Sequence, residues 1–194
     1  MQTGDGLLVR LRPKHRELSP SALAGVAAAS ERFGNGRIEI TARGNLQVRG
    51  LRPGTVEPFT RAVLRLDAEW LEGVPVEVGA LAGLDAAEIS DPRPVADAIR
   101  TQLATSGLTA RLGPKVSVLV DDGGALPLDA VQADVRLRAV AADRWRMAAG
   151  DADVDVCDPP ASAVAALKSL GDAPRRGLGR SAGEPVGRHR LRDG

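Results

Sequence analysis

Tyrosine is absent from the 194 residues, and Phe and Trp contribute two each, so aromatic side chains make up only 2%. Single-stranded nucleic acid is held by stacking on aromatic or planar platforms, and positions 37–49 offer no aromatic at all. That weakens an RNA-binding reading. Charge gives no bulk argument for nucleic acid either, since 26 Lys and Arg against 25 Asp and Glu leave +1. Cys157 is the only cysteine. It excludes an internal disulfide, a cysteine-rich zinc site and a four-cysteine iron–sulfur site built from this sequence alone. His15 and His189 are too far apart for a metal-ligand motif, so no metal ligands are expected. No run reaches the ~18 apolar residues of a transmembrane helix. Residues 1–6 lack the charged-then-apolar pattern of a secretory signal. A cytoplasmic location is expected, with neither membrane nor nucleic acid as partner.

What remains is a globular composition, 43% hydrophobic and 26% charged. Residues 6–70 read as β-α-β-β-α. From Gly6 to Arg12 the side chains alternate, with Leu7, Val9 and Leu11 on one face and Leu8, Arg10 and Arg12 on the other. Ser19 and Pro20 start a helix, a hydroxyl cap followed by a residue that needs no amide partner. Leu23, Val26, Ala27, Ser30 and Phe33 form its apolar stripe, and Gly34 is the expected left-handed stop. Two strands follow, 37–43 and 47–50. A three-residue loop (Gly44, Asn45, Leu46) pairs Arg43 with Gln47 and Ala42 with Val48, which keeps the faces consistent. The turn is therefore odd in length, with Gly44 or Asn45 at positive φ. Thr55 then caps a helix carrying Phe59, Ala62, Val63, Leu66 and Trp70 on one side.

Two helices would cover the apolar side of this sheet. The other side would collect Arg10, Arg12, Arg43, Gln47 and Arg49. Guanidinium groups sharing one face repel unless they are solvated or paired with anions. A solvated arginine face and a site for a polycarboxylate or phosphate both satisfy the pattern, and the second suits bidentate arginines.

Further on, residues 71–90 read as an irregular connector. Asp91-Pro92 starts a helix with Val95, Ala98, Ile99, Gln102 and Leu103 on one side and Gly107 at its end. Lys115 to Asp121 reads as a strand closed by a turn at Asp122-Gly123-Gly124, which makes Asp121-Asp122 turn residues rather than a catalytic carboxylate pair. A hairpin is expected from 133–140 and 144–149, and a short helix around 163–170. His15, in Pro13-Lys14-His15-Arg16, reads as a solvated loop residue. Residues 173–194 are rich in Gly and Arg with almost no apolar content, the signature of a disordered tail.

Two strings carry a more specific signal. Asp5-Gly-Leu-Leu-Val-Arg-Leu-Arg12, then Gly34-Asn-Gly-Arg-Ile-Glu-Ile-Thr-Ala-Arg-Gly-Asn-Leu-Gln-Val-Arg-Gly50, together resemble the ferredoxin-like half-domain of the nitrite/sulfite reductase superfamily. The Arg-Gly-Asn-Leu-Gln variant at 43–47 is most similar to the precorrin-3B synthase branch. Weaker similarity continues through Leu81-Ala-Gly-Leu-Asp85, Pro114-Lys115, Asp122 to Pro127 and Ala133 to Arg138.

The resemblance implies an α+β fold: a half-domain over 1–72, then an incomplete α/β lobe of the same superfamily over 73–172. It implies an oxidoreductase component of aerobic cobalamin biosynthesis that binds a carboxylate-rich tetrapyrrole, siroheme or a relative. Precorrin-3B synthases hydroxylate precorrin-3A with dioxygen and form a lactone. By family position, Arg10, Arg43 and Gln47 would bind the tetrapyrrole, and Lys115 would be catalytic as a charge or proton donor. Arg12 and Arg49 join them from face geometry alone. The family's four-iron–four-sulfur cluster has no cysteine ligands in this sequence. Turnover by this chain alone is not expected, and a second half-domain chain or a second copy of this one is an expected partner.

Three departures accompany the resemblance. Val74-Pro75 stands where the family has an Arg-Asn pair, Ser117 replaces the second lysine of the reductases, and Cys157 reads as a lone, partly buried thiol. The alternative class is a non-catalytic tetrapyrrole- or anion-binding module, or a degenerate relative of the reductases.

Overall fold

The computed structural model describes residues 2–41, 43–113 and 115–172. The disorder expected for 173–194, the Ala42–Val48 pair and the family's position at Pro114 lie outside the described residues.

The first layer is an antiparallel sheet of β1 (Gln2–Thr3), β2 (Gly6–Leu11), β3 (Ile38–Ile40) and β4 (Leu46–Leu51) in the order β1-β2-β4-β3. Helices α1 (Pro20–Phe33) and α2 (Pro53–Val63) cover one side. The apolar sets of β2 and β4 meet directly: Val9 pairs with Val48 and Leu11 with Leu46. With Val26, Ala29, Leu51, Phe59 and Val63 they close a small core. Burying Phe59 completely is worth roughly 1.5–3 kcal/mol in water-to-interior transfer, which makes it the largest anchor of this layer.

Local chemistry explains the boundaries. Ser19 Oγ accepts the Ala22 amide at 3.1 Å, and Pro20 opens α1 as expected. Its buried stripe is Ala22, Val26, Ala29 and Ser30, while Leu23 is exposed. The left-handed stop is not at Gly34, whose φ is −116°, but at Gly36 with φ +76°. Gly34 serves close approach instead, because a Cβ there would lie 2.5 Å from the Arg49 carbonyl oxygen. Thr55 is the third residue of α2 rather than its cap, and its hydroxyl accepts the Arg52 amide at 2.9 Å. Leu66 and Trp70 fall beyond the helix, where Trp70 Nε1 donates to the Val63 carbonyl.

The register of the β3–β4 hairpin differs from the expected one. Ile40 pairs with Leu46 and Glu39 with Gln47, so the loop is 41–45. Its length is odd and Gly44 has φ +67°, as expected. Arg43 therefore sits in the loop and not opposite Gln47. The Thr41 hydroxyl decides this: it accepts the Asn45 amide at 3.2 Å while the Thr41 amide donates to the Asn45 carbonyl at 2.9 Å. That ends the β3 side three residues earlier than alternation alone requires, at Ile40 instead of Arg43.

The second layer is a five-stranded sheet, β5-β6-β7-β8-β9, built from β5 (Val76–Val78), β6 (Val118–Asp121), β7 (Val135–Ala141), β8 (Arg144–Ala149) and β9 (Ala152–Val156). The first three strands run parallel and the last two antiparallel. Helices α3 (Pro92–Ser106) and α4 (Pro159–Asp172) pack on it. Asp91 caps α3 through its Oδ1 at 2.9 Å from the Arg93 amide, and Gly107 ends it at φ +64°. The chain is thus α+β, with one core in each layer. The connector is not wholly irregular, since β5 lies within it, and Lys115 precedes β6 instead of belonging to it. Among the described residues, no helix is long and apolar enough to cross a membrane.

Candidate anion-binding cleft

The two layers meet along a seam. After β2, Pro13 is buried and bridges to Trp70, the Lys14 amide donates to the Glu69 carbonyl at 2.9 Å, and the Leu71 amide donates to the Arg12 carbonyl at 2.8 Å. Residues 69–71 thereby run beside 12–14 and lead into β5. At the seam, His15 (φ 53°) and Arg16 (φ 65°) both adopt left-handed backbone. Such conformations cost non-glycine residues about 1–3 kcal/mol each and persist only where the surroundings hold them. Here they are held by their heads. Arg16 Nη2 is 2.7 Å from Glu77 Oε2 on β5, and His15 Nε2 is 3.3 Å from Asp97 Oδ2 on α3. Gly44 makes room, because a Cβ on it would lie 2.8 Å from Arg16 Cδ.

Between these groups lies a cavity of about 30 Å³, lined by Arg12, His15, Arg16, Arg43, Arg100, Glu72 and Glu77 with Val74, Pro75 and neighbouring backbone. Four guanidinium groups face two carboxylates there. Arg100, on α3, donates to Asp97 Oδ1 at 2.7 Å and to the Val76 carbonyl. Arg12 Nη2 donates to the Gly73 carbonyl at 3.0 Å, and Arg43 Nη2 to the Gln132 carbonyl at 2.8 Å. Burial lowers the Arg12 pKa from its ordinary value, opposed by Glu77 and reinforced by Arg10. Burial likewise lowers that of Arg100, against its hydrogen bond to Asp97. Both directions follow from taking a cation out of water, which the acidic neighbours only partly offset.

Of the residues expected on one sheet face, the structure brings Arg12 and Arg43 together in the cleft. Arg10 and Gln47 are cross-strand neighbours, with Arg10 exposed, and neither lines the cavity. Arg49 is met by acids, its Nε 3.1 Å from Glu39 Oε1 and its Nη1 3.8 Å from Asp5 Oδ1. Lys115 is exposed and is not part of the cavity wall. The expected single arginine face is therefore divided. Three cleft residues escaped the sequence reading: His15, which is half-buried rather than solvated, Arg16 and Arg100. The only signal for His15 and Arg16 was the basic triplet Lys14-His15-Arg16 shortly after a strand, and nothing local marked Arg100 on α3. Cys157 is exposed, not partly buried. Asp121 and Asp122 are buried turn formers, accepting the Gly123 amide at 2.9 Å and the Gly124 amide at 2.7 Å.

Residues 1–66 match the nitrite/sulfite reductase ferredoxin-like half domain. The chain is similar to the nitrite/sulfite reductase-like family through these residues and through one curated relative. It is 50% identical over 140 residues to a precorrin-3B synthase from Sinorhizobium sp, an alignment covering 72% of this chain and 30% of that protein. In fold it is similar to the NirA protein of Mycobacterium tuberculosis (TM-score 0.61, 21% identity, 74% of this chain and 28% of that one). It is also similar to dissimilatory sulfite reductase I (TM-score 0.52, 12% identity, 68% and 32%). The chain thus spans about a third or less of each of these relatives.

This similarity raises the question of a tetrapyrrole and an iron–sulfur cluster. The cleft fits the acidic rim of a tetrapyrrole, because buried nitrogens of His15, Arg16 and Arg100 have no partner there. Its volume admits a carboxylate and not a ring. The cluster does not fit: four thiolates are needed and one exposed cysteine is present. Among the described residues, no group of three or more His, Cys, Asp or Glu could hold a metal ion.

Proposed function

We propose that this chain is a precorrin-3B synthase-like oxidoreductase component of aerobic cobalamin biosynthesis, and that its part is to hold a carboxylate-rich tetrapyrrole. The observation that supports this most is the cationic seam, in a chain half identical over 140 residues to a precorrin-3B synthase. Arg12 and Arg43 dock carboxylates at the mouth of the cleft, and their bonds to the Gly73 and Gln132 carbonyls fix both guanidinium planes before the ligand arrives. The tetrapyrrole supplies the ring that is oxidised, and this chain orients it. Thiolates for a cluster come from outside these residues, so the isolated chain binds without turning over. Lys115 acts on a ligand lying outside the cleft or not at all.

Titration of the full chain with siroheme, followed by absorbance, tests the reading. Saturable binding is expected, weakened about tenfold in Arg12→Ala and in Arg43→Ala, the size of one lost charge-assisted hydrogen bond. Arg49→Ala, whose partners are Glu39 and Asp5, should bind as the unaltered protein does. Equal affinity in all four proteins rules out the clamp.

A further inference from the structure

Arg16, Arg100 and His15 share an unusual arrangement: each head is already bonded, Arg100 through both terminal nitrogens, and each has a nitrogen left over. Arg16 is tethered through Nη2 to Glu77, Arg100 through Nη1 to Asp97, and His15 through Nε2 to the other oxygen of Asp97. The leftover atoms, Arg16 Nε, Arg100 Nε and His15 Nδ1, are screened from solvent and make no hydrogen bond. All three residues line the same cavity. A buried donor left unmet costs about 1–3 kcal/mol, and native proteins rarely gather several around one space. The cavity is sized for about one or two waters, which is the room a single carboxylate group occupies.

We propose that this cavity is a receptor for one carboxylate of an organic acid, held by the Nε–H groups of Arg16 and Arg100. A carboxylate offers two oxygens and about four acceptor positions, enough for both donors. His15 Nδ1 adds a third when the ring is doubly protonated. The tethers to Glu77 and Asp97 keep the guanidinium planes from turning away, so little side-chain freedom is lost on binding. The identification of that acid as a tetrapyrrole arm rests on the function proposed above; the receptor itself rests only on the geometry of the seam.

The test uses the full chain and the arginine Nε–H resonances in proton–nitrogen spectra. Acetate should move the Arg16 and Arg100 signals to saturation and leave that of Arg49, already bonded to Glu39, in place. Arg16→Gln and Arg100→Gln should each weaken acetate about tenfold. Arg16→Gln leaves the Asp97–Arg100 link intact and serves alone if the other variant does not fold. Signals that stay still, that move equally for all three arginines, or that respond to inorganic phosphate but not acetate overturn the receptor. Siroheme binding that depends on Arg12 yet ignores Arg16→Gln overturns it as the arm's seat and leaves the tetrapyrrole reading standing. Acetate saturation with no siroheme binding supports the receptor and removes the tetrapyrrole.

Discussion

At the residue scale, Asp97 is where three basic side chains converge: Arg100 at 2.7 Å, His15 at 3.3 Å and Lys14 at 3.6 Å. Burial pushes its carboxyl up, but the Arg100 hydrogen bond, His15 and Lys14 outweigh burial and hold it below the ordinary value. A carboxyl depressed in the folded state adds stability that is present above its unfolded value, near 3.9, and is lost as pH falls through the folded one. Asp97→Asn should therefore be less stable than the unaltered protein in urea at pH 7, and the gap should close toward pH 3. A gap of constant size at both pH values excludes Asp97 as the linked group. Asp97 lies 82 positions from His15, and nothing in the local pattern around either residue marks the pair. Ser19 and Gly107, whose roles depend on immediate neighbours, were legible from sequence. Residues that matter through a partner on another layer were not.

At the element scale, the helix–strand packing turns on backbone contact that a hydrophobicity pattern does not register. The start of α1 and the apolar pairing of β2 with β4 follow from local chemistry and alternation. The hairpin register did not, because the Thr41 hydroxyl competes with ladder bonds, as short hydroxyl side chains do. β5 was hidden for a different reason: three residues, Val76 to Val78, are too few to show a period, and their pairing is with β6, 42 positions on. Gly34 illustrates the backbone effect most directly. An added methyl would stand 2.5 Å from the Arg49 carbonyl oxygen and 3.1 Å from that of Ser30, and neither is a flexible side chain. Gly34→Ala should cost about 1–3 kcal/mol, the usual penalty of overpacking, read as a lower urea midpoint with unchanged slope. Gly54→Ala, which meets nothing within 4 Å, is the control and should leave the midpoint nearly unmoved.

At the scale of the whole molecule, the layers have separate apolar cores and a seam made chiefly of charged and backbone groups. The core around Ile99, Val118 and Leu137 is much the larger, and the one around Val48 and Phe59 the smaller. Seam pairs such as Lys14–Asp97 and Arg93–Glu17 are partly solvated and contribute at most about 1 kcal/mol each. That is small beside what either core supplies, so cooperativity across the seam should be incomplete, as it commonly is between domains joined by polar interfaces. Calorimetry should resolve two transitions, the smaller core melting first. Phe59→Ala should lower only the first and Ile99→Ala only the second, each removing about 2–5 kcal/mol from its own layer. A single transition that both variants lower equally would mean that the seam binds the layers as tightly as either core binds itself. A carboxylate at the seam should draw the two transitions together, because its donors come from residue 16 of the first layer and residue 100 of the second. Acetate that narrows their separation in the unaltered chain, and does not in Arg16→Gln, would tie assembly of the molecule to occupation of the cleft.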